Sequence, residues 1–131
     1  MVEKVPIPAE IEAIGKAVVD SAFRVHTQLG AGLLEAVYEA CLEHELRKRG
    51  AQVQRQVLIP VVYDGMQLDA GLRLDLLVDD AVIVEIKAVE RTLPVFEAQL
   101  LTYLKLANKR LGFIVNFNFP LIRDGIKRMA L

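Results

Sequence analysis

An acid and a base stand two residues apart in the run Val82-Ile-Val-Glu-Ile-Lys-Ala-Val89. Side chains of a strand alternate between its two faces, so Glu85 and Lys87 share one face while Val84, Ile86 and Ala88 share the other. A second acid, Asp75, lies in the preceding run Leu74-Asp-Leu-Leu-Val78, and its relation to Glu85 turns on the parity of the connection. A three-residue loop, Asp79-Asp80-Ala81, pairs Val78 with Val82 and sets Asp75 opposite Glu85. A two-residue turn at Asp80-Ala81 sets Asp75 opposite Ile86, with its side chain facing away from Glu85. In the first arrangement two carboxylates at cross-strand distance repel by up to about 1 kcal/mol, and a divalent cation offsets that repulsion. Hard cations such as Mg²⁺ bind through one or two carboxylates plus waters and phosphate oxygens. Asp75 and Glu85 could supply those carboxylates, and Lys87 could hold an attacking water or stabilise charge growing on a phosphorane-like transition state. An ordinary half-exposed hairpin with mixed surface charge is the other reading of the same pattern.

Two helical stretches add polar residues where apolar ones are expected. At about 100° per residue, Glu35 projects between Leu42 and Leu46, inside the apolar arc and off the Glu39/Glu43/Arg47 face. Glu45 falls in the same arc near the helix end. Further along, Gln99 projects between Leu106 and Tyr103, in an arc completed by Phe96, Leu100, Leu104 and Ala107. A buried amide needs partners, either within the core or in a site. Tyr38 and Tyr103 have the same two readings. His26 and His44 are isolated, and read as ordinary packed or surface residues. Ser21 is the only serine and sits in no nucleophile elbow, which excludes a serine hydrolase. Gly30-Ala-Gly32 lacks the preceding strand and the full spacing of a phosphate-binding loop.

These residues are positioned by a short series of elements. Pro8 opens a helix whose apolar face is Ile11, Ile14, Val18, Ala22, Val25 and Leu29, ending near Gly30. A second helix is predicted from about Leu33 to Arg49, with Leu34, Val37, Tyr38, Cys41, Leu42 and Leu46 inside, Gly30 and Gly32 as its entry hinge and Gly50 as its stop. Strands are predicted at Val53–Tyr63, Gln67–Val78 and Val82–Val89, the first two joined by Asp64-Gly65, a strong hairpin signal. Pro94 opens a helix to about Ala107, Leu111–Phe117 reads as a fourth strand, and the tail from about Leu121 is expected to hold a short basic helix.

The chain has 131 residues, 53% hydrophobic and 25% charged, which predicts a single domain over 1–131 that folds around one core. Sixteen Lys and Arg against seventeen Asp and Glu give a net charge of −1, so a nucleic-acid function cannot rest on overall basicity and needs a local site. Cys41 is the only cysteine, which rules out an internal disulfide or a cysteine zinc cluster and fits a reducing cytoplasm. The opening Met1-Val-Glu-Lys-Val-Pro-Ile-Pro has no apolar leader core, and no run approaches the roughly 20 residues of a membrane span. A soluble, cytoplasmic protein without membrane contact is expected.

An acid on an early helix, an Asp in one strand, Glu-x-Lys in the next and a Gln on the following helix form a combined pattern. It resembles the GxxExxY family of the PD-(D/E)XK nuclease superfamily. The naming motif is Gly32-Leu-Leu-Glu35-Ala-Val-Tyr38. Also matching are Arg73-Leu-Asp75-Leu-Leu-Val78, Glu85-Ile-Lys87-Ala88, Ala98-Gln99-Leu-Leu-Thr-Tyr103-Leu-Lys105 and Gly112-Phe-Ile-Val-Asn116-Phe117. The resemblance runs from about Val25 to Arg128. It implies an α/β (α+β) restriction-endonuclease-like core, a mixed central sheet flanked by helices in the order α-α-β-β-β-α-β-(α).

By the same resemblance, Asp75, Glu85 and the backbone carbonyl of Ile86 would bind Mg²⁺ or Mn²⁺. Lys87 would position water or stabilise charge, Glu35 would complete the acidic cluster directly or through water, and Gln99 would orient the nucleophile or the substrate. Tyr38, Tyr103 and Lys105 would contact the substrate, DNA or RNA. Phe96-Glu97 departs from the His-Glu common in relatives. The implied function is metal-dependent phosphodiester hydrolysis, and cutting both strands of a duplex at once would call for a homodimer. The alternative on the same fold is a catalytically inactive nucleic-acid-binding or protein-interaction module. A binding module would hold nucleic acid through Lys105, Lys109, Arg110, Arg123, Lys127 and Arg128.

Overall fold

Two successive helices open the chain, α1 at Ala9–Leu29 and α2 at Glu35–Lys48. The computed structural model describes residues 5–131, Ala70 by its backbone alone, and residues 1–4, part of the segment read as lacking a leader, lie outside the described residues. Pro8 caps α1, with the Ile11 and Glu12 N–H groups donating to its carbonyl at 3.0 Å, and Gly30, at φ +72°, ends it. Helix α2 starts two residues later than expected. Gly32 takes φ +99° and the Leu33 N–H is held by the Tyr38 hydroxyl at 3.0 Å, so the backbone enters the helical path only at Glu35. The apolar residues near that entry, Leu34 and Val37, are exposed where burial was expected.

Strands β1 (Val53–Tyr63), β2 (Met66–Val78), β3 (Val82–Lys87), β4 (Leu111–Asn116) and β5 (Ile126–Ala130) form one sheet in the order β1-β2-β3-β4-β5. All neighbours are antiparallel except β3 and β4, which are parallel. The parallel connection is made by α3 (Pro94–Ala107), as parallel strands need a crossover long enough to return the chain. Asp64 and Gly65, both at positive φ, make the tight turn between Tyr63 and Met66. The tail differs from expectation: helix there is limited to one 3₁₀ turn at Ile122–Gly125, and the rest is β5 on the open edge of β4. Strand β3 stops at Lys87, because the N–H and carbonyl of Val89 are both taken by the side chain of buried Asn116.

Helices α1 and α2 pack on one face of the sheet through Val18, Ala22, Val25, Tyr38, Leu42 and Leu46 against Val84, Ile86, Phe113 and Val115. Helix α3 packs on the other through Leu100 and Leu104 against Leu74, Leu77, Ile83 and Ile114. The β1–β2 ribbon changes allegiance partway along. Val53, Leu76 and Val78 belong to the α1/α2 core, whereas Val57, Ile59, Leu72 and Leu74 belong with α3. In a regular strand Val53 and Val57 would face the same way. Gln56, at φ +53°, lies between them and turns the ribbon over; Asp75 marks the change on the paired strand.

Candidate active site

The turn between β2 and β3 is the three-residue one. Asp79 and Asp80 adopt left-handed φ angles of 50° and 53°, the Ala81 N–H donates to the Val78 carbonyl at 3.0 Å, and Val78 pairs with Val82. The register continues through Leu77–Ile83 and Leu76–Val84 and stops there. At the next position Asp75 and Glu85 face each other, and their carboxylates take over the pairing. The Asp75 N–H donates to Glu85 Oε2 at 2.9 Å, and the Ile86 N–H donates to Asp75 Oδ2 at 2.8 Å. The acids therefore sit in the fork where the β1–β2 ribbon leaves β3, each tied to the opposite strand.

Around the fork lies an open cleft of about 570 Å³ lined by Glu35, Leu58, Leu72, Arg73, Asp75, Glu85, Lys87, Gln99 and Tyr103. Glu35, Gln99 and Tyr103 come from helices on opposite faces of the sheet, and the fork lets both reach one space. Helix α2 delivers Glu35 as its first residue, where the helix dipole favours an acid. Glu35 is an exposed cleft residue, which corrects its expected place inside the apolar arc. The helical wheel failed because the apolar arc belongs to the middle of α2 and its first turn overhangs the fork.

Burial first, and then Asp75, push the Glu85 carboxyl up to about 8. Asp75 is also raised, by burial above all and against the Ile86 N–H bond that favours its charged form. Glu35 is raised by partial burial and by Asp75, with Lys87 opposing. Burial raises the Tyr103 phenol, and the negative charge of Glu85 adds to this. The Lys87 ammonium lies 4.5 Å from the centroid of the Phe96 ring, an attraction worth about 0.5–2 kcal/mol. Thus Phe96 fixes the lysine by its ring face.

Two other expected substrate contacts lie elsewhere. Tyr38 is fully buried and stacks on Phe117 with ring centroids 4.5 Å apart. Its hydroxyl donates to the Gly30 carbonyl at 2.6 Å and accepts the Leu33 N–H at 3.0 Å. That corrects its reading as a substrate contact: it clamps the loop that presents Glu35. Lys105 is exposed outside the cleft, since two residues along a helix from Tyr103 is about 200° around it. The side chain of Ile86 is fully buried, so only its backbone can serve the fork.

Sequence reasoning missed the places of Glu39, Gln56 and Arg73, the last of which lines the cleft. Glu39 was placed on the solvent face, yet it is buried and accepts hydrogen bonds from Arg55 at 3.0 Å and from the Gln56 amide at 2.7 Å. Its spacing of four from Glu35 was the available signal. Arg73 is two residues from Asp75, the strand spacing that already joined Glu85 to Lys87.

The basic residues expected of a pure binding module are mostly occupied. Lys109 pairs with Asp80, Lys127 with Glu97 and Arg128 with Glu12. Arg110 donates to the carbonyls of Leu131, Pro6 and Val5. His26 meets the Phe119 carbonyl at 2.8 Å and lies apart from the cleft.

The donor set fits a hard divalent cation. Among the described residues no three His, Cys, Asp or Glu side chains form a closed cage, whereas Asp75 and Glu85 offer the two carboxylates of an ion that keeps waters and takes phosphate oxygens. Burial first, and Asp75 second, hold the Glu85 carboxyl up, and an ion between the two carboxylates would offset their mutual repulsion.

A mixed sheet forked at an Asp and a Glu-x-Lys, with helices on both faces, defines an α+β domain of the restriction-endonuclease-like class. The chain belongs to the PD-(D/E)XK nuclease superfamily, whose family model matches residues 12–129. No curated protein and no solved structure matches it. Membership in a nuclease superfamily implies a nucleic-acid substrate, and no helix among the described residues is long and apolar enough to cross a membrane.

Proposed function

We propose that the protein is a divalent-metal-dependent phosphodiesterase of the GxxExxY branch that hydrolyses DNA or RNA. The observation that carries the reading is the fork itself: Asp75 and Glu85 opposite each other, with Lys87 on the Glu85 face and Gln99 and Glu35 entering from the two helix layers. Asp75, Glu85 and the carbonyl of Ile86 would hold Mg²⁺ or Mn²⁺. When bound, the ion would lower the pKa of water and polarise the scissile phosphate.

The chain's own residues do the rest. Lys87, steadied by Phe96, holds the attacking water or stabilises charge on the phosphoryl oxygens. Gln99 orients that water through its amide, and Tyr103 borders the substrate with a phenol that burial keeps protonated. Glu35 accepts a hydrogen bond from water on the open side of the cleft. The single free, half-buried Cys41 is in keeping with a cytoplasmic location.

Purified protein incubated with labelled DNA and RNA in Mg²⁺ or Mn²⁺ should cleave one of them and stop in EDTA. Glu85→Ala and Lys87→Ala should each reduce cleavage at least a hundredfold with the circular dichroism spectrum unchanged. Equal cleavage by wild type and both variants would sink the assignment.

A further inference from the structure

The cleft holds a second cation that the reading above does not use. Between Arg55 and Lys87 the sequence contains one basic residue, Arg73, and β2 brings it into the cleft beside Asp75. The long ribbon outside the fork carries acids near its tip, Asp64 and Asp69, and no other cation. A polyanion entering this side of the cleft therefore meets positive charge at Arg73 and nowhere else along the ribbon.

Arg73 is exposed and forms no ion pair among the described residues, although Glu35, Asp75 and Glu85 line the same space. Four other arginines are tied to acids, Arg55 to Glu39, Arg47 to Glu43, Arg49 to Glu45 and Arg128 to Glu12, whereas Arg73 lies beside acids without pairing to them. Directly across the ribbon from Arg73 stands Leu58, itself 58% exposed, an apolar neighbour that takes no hydrogen bond from the guanidinium. The guanidinium keeps its donor edge for an incoming group. A planar fork of donors beside a carboxylate pair suits a phosphate, which it can engage with two parallel hydrogen bonds.

Spacing sets which phosphate. Two residues along a strand is about 7 Å, and successive phosphates of one nucleic-acid strand advance about 3.4 Å along a duplex axis. We propose that Arg73 binds a phosphate one or two nucleotides from the one held at Asp75 and Glu85, and so fixes how the strand runs through the cleft. This rests on the nuclease reading and adds to it a substrate-binding residue and a direction of travel, toward the β1–β2 ribbon.

The test uses Glu85→Ala as a cleavage-free parent and measures binding of a labelled oligonucleotide of the cleaved type across a salt series. Adding Arg73→Ala should lower affinity and reduce the slope of log K against log salt by about 0.7 for a single strand or 0.9 for a duplex, the value for one lost phosphate contact. Arg73→Lys should restore the slope but not the full affinity, because a point charge replaces a bidentate fork. Arg73→Gln gives a neutral variant of similar length should the alanine variant fold poorly. Lys48→Ala, at the far end of α2 from Glu35, removes the same charge and should leave the slope unchanged. An unchanged slope in both Arg73→Ala and Arg73→Gln overturns the proposal. If the parent binds no nucleic acid and the wild type cleaves none, the nuclease reading itself fails, and the proposal with it.

Discussion

Glu85 is the residue on which the chemistry and the stability of this protein meet. Its carboxyl is buried beside Asp75 and raised from the ordinary glutamate range to about 8. A folded pKa above the unfolded one means that the folded state binds the extra proton, so stability is fully present below about 4.5 and is lost as pH rises through about 8. Partly raised Asp75 and Glu35 act in the same direction. Metal-free protein should therefore melt at a lower temperature at pH 8 than at pH 5, as read by scanning calorimetry. In Glu85→Gln most of that slope should vanish, and Mg²⁺ added at pH 8 should raise the melting temperature of the wild type but not of the variant. A melting temperature of the wild type that rises from pH 5 to pH 8 would contradict the burial argument.

At the scale of elements, the α2 entry and the ribbon crossover are the two devices that build the cleft. The naming motif has a mechanical explanation. Gly32 supplies a positive φ, Glu35 is the first helical residue, and Tyr38, one turn on, reaches back to the Gly30 carbonyl and the Leu33 N–H. Tyr38→Phe keeps the ring stack on Phe117 and deletes both part-buried bonds, which should cost about 1 kcal/mol, since water can reach the freed backbone groups. Urea denaturation measures the loss, and cleavage should fall further than stability explains as Glu35 loses its mooring.

The crossover at Gln56 is tested by comparing two substitutions. Gln56→Gly and Gln56→Ala both remove the amide that bonds Glu39, but only alanine retains a side chain at φ +53°. The glycine variant should be the more stable by about 1 kcal/mol. Equal stability would mean that the left-handed backbone is not required there.

Over the whole molecule, charge is balanced but not evenly available. The net charge is −1, and Lys109, Lys127 and Arg128 are spent on acids of the same chain, while the cleft collects Glu35, Asp75 and Glu85. Without a metal, nucleic acid should bind weakly at physiological salt. Ca²⁺, which tolerates oxygen ligands in flexible geometry, should tighten binding of the Lys87→Ala protein at least tenfold in fluorescence anisotropy. Affinity indifferent to Ca²⁺ and EDTA would argue that the acids do not face the substrate.

The sequence by itself determined much of this. Alternation put Glu85 and Lys87 on one face, Asp64-Gly65 marked the hairpin, and Pro94 and the two glycines bounded helices, because each of these follows from local backbone geometry. The elements from α1 through β4 were legible for the same reason. Whether Asp75 meets Glu85 was not, since it depends on whether a loop holds two or three residues, and both are sterically open to Asp-Asp-Ala. The burial of Tyr38 was legible too, but the hold of its hydroxyl on the loop before α2, the ribbon turning over at Gln56 and the return of the tail as a fifth strand were decided by tertiary structure, which also settled the burial of Glu39 and the presence of Arg73 in the cleft, where spacing gave only a hint. Each depends on which surface a residue finds opposite it, and a one-dimensional pattern gives a residue's own face but not what packs against it.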